Sequence, residues 1–115
     1  MILALVDDLM FASKIRAAAT AVGVAVTFAR SSEAALAELG KSSATLVIFD
    51  LDNPRTDPLG TLAAMKQEPS LAAIRTVGFV SHVRADLIQR AEQAGMDEVL
   101  PRSAFTIRLA DILRR

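Results

Sequence analysis

Asp50 closes the most apolar run of the chain, Thr45 to Phe49, and Asp52 follows two positions later, just before an Asn53-Pro54 break. Asp7 and Asp8 stand in the same way behind the run Ile2 to Val6. Acids placed where buried runs stop are candidates for charge chemistry. Two bare carboxylates about 4 Å apart repel by roughly 4 kcal/mol at an effective dielectric near 20. A fold tolerates such a pair by protonating one member or by binding a cation. A hard divalent ion suits oxygen donors, and Mg²⁺ commonly takes one or two carboxylates plus waters and a phosphate. An acid beside that ion can itself be the nucleophile, accepting a phosphoryl group as an acyl phosphate. Such a transfer needs the charge on the phosphoryl oxygens neutralised. Ser81 and Arg102, which follow two later apolar runs, are placed to supply a hydroxyl and a cation. The chain carries no glycine-rich phosphate cradle, so a nucleotide is not the indicated ligand.

Each of these residues also has a plainer role. Asp8 can cap a helix, since Asp is a preferred cap. Asp50 can be an exposed acid at a strand end, and Asp52 reads as a turn residue more readily than as a side-chain ligand. Serines at strand ends commonly bond backbone, which is the alternative for Ser81. Arg102 can be a surface charge or a partner for the carboxylates. His82, the only histidine, reads as a loop residue rather than a ligand.

The elements that must position these residues follow from two alternating periodicities. Ile2 to Val6, Val24 to Ala29, Thr45 to Phe49, Thr76 to Val80 and Glu98 to Leu100 read as short strands, the first and third buried on both faces. Helical spacing fills the intervals. Phe11, Ile15, Ala18, Ala19 and Val22 lead to a stop at Gly23, and a helix capped at Ser31 or Ser32 ends at Gly40. Leu59, Leu62 and Met65 are bounded by Pro69, and Val83, Leu87, Ile88 and Ala91 by Gly95. Phe105, Leu109, Ile112 and Leu113 stripe the last helix, with Ser103 expected as its cap. Strands alternating with helices predict right-handed crossovers and a doubly wound α/β domain with a five-stranded parallel sheet. Sites in such sheets form beyond the carboxyl ends of the strands, where strand order reverses. Adjacent strands lie about 4.8 Å apart. If the first and third are neighbours, Asp7, Asp8 and Asp50 therefore share one crevice.

The chain has 115 residues, which fits one domain spanning residues 1–115. Apolar residues make up 52%, enough for a core without staples. Lys plus Arg and Asp plus Glu number 13 each, so nothing electrostatic calls for nucleic acid or an anionic membrane as partner. Cysteine is absent, which removes disulfides and thiolate metal sites. The apolar run at the N-terminus is too short for a signal peptide, and no run reaches the roughly 20 residues of a membrane span. A cytoplasmic, soluble domain is the expectation.

Taken together, "LVDDLM", "VIFDLDNP", "GFVSHV" and "GMDEVLPRSAF" resemble the receiver domain of two-component response regulators over essentially the whole chain. The resemblance implies a flavodoxin-like (βα)5 receiver fold with strand order 2-1-3-4-5. It implies Asp50 as phosphoacceptor, with Pro54 four residues on, as the family usually has. It further implies Mg²⁺ held by Asp7, Asp8, Asp50 and the backbone carbonyl of Asp52, and Ser81 at the hydroxyl position. A histidine kinase or phosphotransfer protein would be the donor and a downstream protein the reader. A homodimer stays open, and no enzymatic turnover is expected. The last segment departs from the pattern. The family nearly always has Lys-Pro there; this chain has Arg102-Ser103, with Pro101 ahead of the cation. Arg is a planar fork rather than a point charge. Val99 stands at the family's aromatic switch position, and Pro58 replaces its customary glycine. These departures favour the alternative of a non-phosphorylated pseudo-receiver, an interaction module. A small hydrolase with an aspartyl nucleophile is a more distant alternative, since no inserted segment could enclose a substrate.

Overall fold

The computed structural model describes residues 1–81 and 84–115. His82 and Val83, expected respectively in a loop and at the start of a helix stripe, lie outside the described residues.

Five strands alternate with five α-helices. In chain order they are β1 (Ile2–Leu5), α1 (Leu9–Val22), β2 (Val26–Ala29), α2 (Ser32–Lys41), β3 (Leu46–Asp50), α3 (Pro58–Gln67), β4 (Arg75–Val80), α4 (Ala85–Gln93), β5 (Glu98–Pro101) and α5 (Arg102–Arg114). A single 3₁₀ turn, Pro54–Thr56, sits between β3 and α3. The strands form one sheet in the order β2-β1-β3-β4-β5, parallel throughout. This is the doubly wound arrangement expected, with the chain reversing direction of growth between β1 and β3.

The continuous apolar runs are explained by burial on both sheet faces. Ile2, Ala4, Ile48 and Phe79 point to one core, with Phe11 and Ile15 of α1 and Phe105 and Ile112 of α5. Leu3, Leu5, Val47 and Phe49 alternate to the other face, against Leu39, Leu62, Met65 and Leu87. Period-2 alternation in the strands thus feeds two helix layers from one sequence run.

Local chemistry sets most boundaries. Gly23, at φ 74°, ends α1 because the left-handed cap conformation costs glycine little. Ser31 caps α2, its Oγ accepting the Ala34 N–H at 3.1 Å. Two expectations shift. Gly40 does not stop α2, which runs on to Lys41 before the Ser42 N–H closes it on the Glu38 carbonyl at 3.1 Å. Ser103 is not a cap, because α5 already begins at Arg102, directly after Pro101 ends β5, and has no side-chain cap. Pro58 takes the first position of α3, where a missing N–H costs nothing.

Candidate functional site: an acid cleft bridged by Arg102

The sheet register places the acids. Leu5 of β1 lies level with Phe49 of β3, so the chain leaving β1 and Asp50 emerge side by side. Asp50 is level with Phe79 of β4, and Val80 with Pro101 of β5, which brings Arg102 to the same edge. Asp7, Asp8, Asp50, Asp52, Asn53, Pro54, Arg55 and Arg102 line one open cleft of about 370 Å³. The cleft stands at the carboxyl ends of the strands, beside the reversal of strand order, where such sheets bind their ligands.

Asp50 forms the floor and is 1% exposed. Its Oδ1 accepts the Asp52 N–H at 3.0 Å, and Nη2 of Arg102 lies 3.4 Å from each of its oxygens. Burial pushes its carboxyl above the usual carboxylate range. The Asp52 N–H and Arg102 oppose that shift, while the neighbouring Asp52 and Asp8 carboxylates reinforce it. Asp8 does cap α1, its Oδ1 accepting from the N–H groups of Met10 at 2.9 Å and Phe11 at 3.2 Å. Its second oxygen, Oδ2, remains in the cleft, 4.0 Å from Nη1 of Arg102.

Arg102 joins the acids. Its Nε donates to Oδ2 of Asp52 at 3.0 Å, Nη2 faces Asp50 and Nη1 faces Asp8. The guanidinium carbon lies 4.8 Å from the ring centre of Phe11 and 5.2 Å from that of Phe79, over two rings that stack at 4.4 Å. Carboxylates on one side and aromatic faces on the other hold a planar cation in place. Ser81 is tied to the cleft through its backbone, whose N–H donates to Oδ2 of Asp52 at 2.9 Å.

Asp7 turns to other cations. Its Oδ1 accepts from Nε of Arg30 at 2.7 Å and its Oδ2 faces Nη2 of Arg55 at 2.9 Å. The Arg30 hydrogen bond, first, and then the charges of Arg30 and Arg55 hold its carboxyl below the ordinary range. Sequence reasoning missed three of these roles. Arg30 follows β2, and the pairing of Leu5 with Ala29 sets it next to the segment leaving β1. Arg55 gave no signal within its turn. The side chain of Asp52, read only as a turn residue, is the best-bonded partner of Arg102.

The expected metal donors are suited in kind to a hard divalent ion, being carboxylate and carbonyl oxygens. Asp8, Asp50 and the backbone carbonyl of Asp52 are the groups that would hold it, with Asp7 committed to its two arginines. Among the described residues, no three acidic or histidine side chains surround a single point as a ready shell. The guanidinium of Arg102 stands among the donors instead.

The chain is a doubly wound α/β module with an acid cleft at the carboxyl ends of its strands. Neither a protein-family model nor a curated protein matches the sequence. Solved structures do. A response regulator from Hahella chejuensis superposes with a TM-score of 0.87 at 18% identity, over 98% of this chain and 91% of that one. The phosphorylated cyanobacterial phytochrome response regulator RcpA gives 0.82 at 24% identity, over 98% and 87%. The receiver domain of a sensor histidine kinase from Pseudomonas aeruginosa PAO1, with a magnesium ion coordinated in its active-site cleft, gives 0.85 at 18% identity, over 99% and 93%. The chain therefore has the receiver fold of response regulators across nearly its whole length.

Proposed function

We propose that this chain is a receiver that accepts a phosphoryl group on Asp50 and relays a signal by binding a partner protein. The observation that carries the reading is the carboxylate of Asp50 at the cleft floor, with Nη2 of Arg102 lying 3.4 Å from each of its oxygens. An ionised Asp50 oxygen attacks phosphorus, the acyl phosphate bond forms, and the bond from phosphorus to the donor's leaving group breaks with its electron pair. Arg102 favours the ionised nucleophile and faces the oxygens on which charge develops. Mg²⁺ held by Asp8, Asp50 and the Asp52 carbonyl would take over the neutralisation of that charge when bound. The donor would be a histidine kinase or phosphotransfer protein in the cytoplasm, and the chain itself would turn over no substrate.

A second reading has its own support. Arg30, Arg55 and Arg102 already face the four carboxylates of the cleft, leaving one net negative charge. That balance suits an interaction module that needs neither metal nor phosphoryl group.

Intact mass after incubation with a small acyl phosphate and Mg²⁺ separates the two. The receiver reading expects wild type to gain the mass of one phosphoryl group and Asp50→Asn to gain none. A folded wild type that gains nothing leaves the interaction module.

A further inference from the structure

We infer that Arg102 is a tethered counter-ion standing where a divalent cation would have to sit, so that metal enters the cleft only when this guanidinium swings out. The inference rests on the reading above only for the identity of the competing ion.

Three observations converge. The first is position. Mg²⁺ binds oxygen at about 2.0–2.1 Å, so an ion shared by Asp8 and Asp50 would crowd a guanidinium that already reaches both, at 4.0 and 3.4 Å. The remaining acid, Asp7, is already paired with Arg30 and Arg55. The second is placement against the local field. Arg102 opens α5, at the end of a helix where a cation is disfavoured, and the first turn offers neither an acid nor a side-chain cap. What stabilises it there is three carboxylates from two other segments, Asp8 behind β1 and Asp50 and Asp52 at the end of β3. The third is a way out. An open groove lined by Asp8, Met10, Phe11, Lys14, Arg102, Ser103 and Thr106 runs between α1 and α5 and shares Asp8 and Arg102 with the acid cleft. The Arg102 side chain is 34% exposed and borders this groove as well as the acid cleft. Occupancy of the cleft by metal would thus be recorded on the α1–α5 surface as the position of one guanidinium.

The test needs no phosphoryl donor. Mn²⁺ affinity is measured by electron paramagnetic resonance on wild type, Arg102→Lys and Arg102→Gln. The expected order places Arg102→Gln at least about tenfold tighter than wild type, with Arg102→Lys between. In wild type, the Nε–H resonance of Arg102 is expected to move and to exchange faster with solvent as Mg²⁺ is added. Equal or weaker Mn²⁺ binding by a folded Arg102→Gln overturns the inference. So does an Nε–H signal unchanged at saturating Mg²⁺, which decides the matter if the variant does not fold. If wild type takes no phosphoryl group while Arg102→Gln gains Mn²⁺ affinity, the acceptor reading fails and this inference stands. The opposite pair of results removes this inference alone.

Discussion

At the residue scale, Asp50 carries two opposed effects, and their balance has a measurable sign. Burial, the larger, raises its proton affinity above that of an exposed Asp, near 3.9, while the Asp52 N–H and Arg102 lower it. With the net shift upward, the native state holds the Asp50 proton more tightly than the unfolded chain does. The associated stability is fully present below the unfolded value and is lost as pH rises through the higher native one. Asp50→Asn is nearly isosteric and cannot ionise. Its melting temperature at pH 7 should therefore be no lower than that of wild type, and its advantage should shrink as pH falls toward about 4. Thermal melts of both proteins across that range check this. A variant clearly less stable at pH 7 would mean that pairing with Arg102 outweighs burial. Asp7 has the opposite sign: its lowered value contributes stability above the ordinary carboxylate range that is lost as pH falls through the native value. The placement of Asp50, Asp8 and Arg102 at the cleft was legible in the sequence because each lies within two residues of the end of an apolar run. The side chain of Asp52 and the pairing of Asp7 with Arg30 and Arg55 were not, because they depend on register between segments far apart in the chain.

At the element scale, the cleft exists because β1, β3 and β5 end within two residues of one another in register, and β5 has the weakest local case for doing so. Its four residues are all only partly buried. A side-chain lock compensates. Oδ2 of Asp97 accepts the Thr76 N–H at 2.8 Å and faces Thr76 Oγ1 at 3.1 Å, while the Asp97 N–H donates back to Oγ1 at 2.9 Å. Thr76 is fully buried, so Asp97→Ala would strand its N–H. The expected loss is about 1–3 kcal/mol, or several degrees in a thermal melt for a domain of this size. A loss within error would show that the β4–β5 ladder alone sets the register. Strand and helix order was readable because apolar runs of period 2 and 3.6 alternate without ambiguity. The ends of α2 and α5 were not, since Gly40 remains helical within α2 and the strand-to-helix junction at Pro101-Arg102 leaves no room for a cap at Ser103.

At the scale of the whole molecule, the neutral formal charge of the chain is repeated in miniature at the cleft, where acids and arginines nearly cancel. A ligand that binds only the native state raises the melting temperature, by a stabilisation that grows with the logarithm of its concentration over its dissociation constant. Mg²⁺ should accordingly stabilise Arg102→Gln more than wild type, and Asp50→Ala least. Differential scanning fluorimetry over a Mg²⁺ series reads that order directly, and a flat response in all three would detach the cleft from metal binding. The two cores lie one on each sheet face, and the cleft stays open at the edge between them.

The most direct measurement is the location of the phosphoryl group after wild type is incubated with a small acyl phosphate and Mg²⁺, read by peptide mass mapping. The account predicts a single modified peptide containing Asp50, absent when that residue is Asn. A modification elsewhere, or none in a folded protein shown to bind the metal, would contradict it.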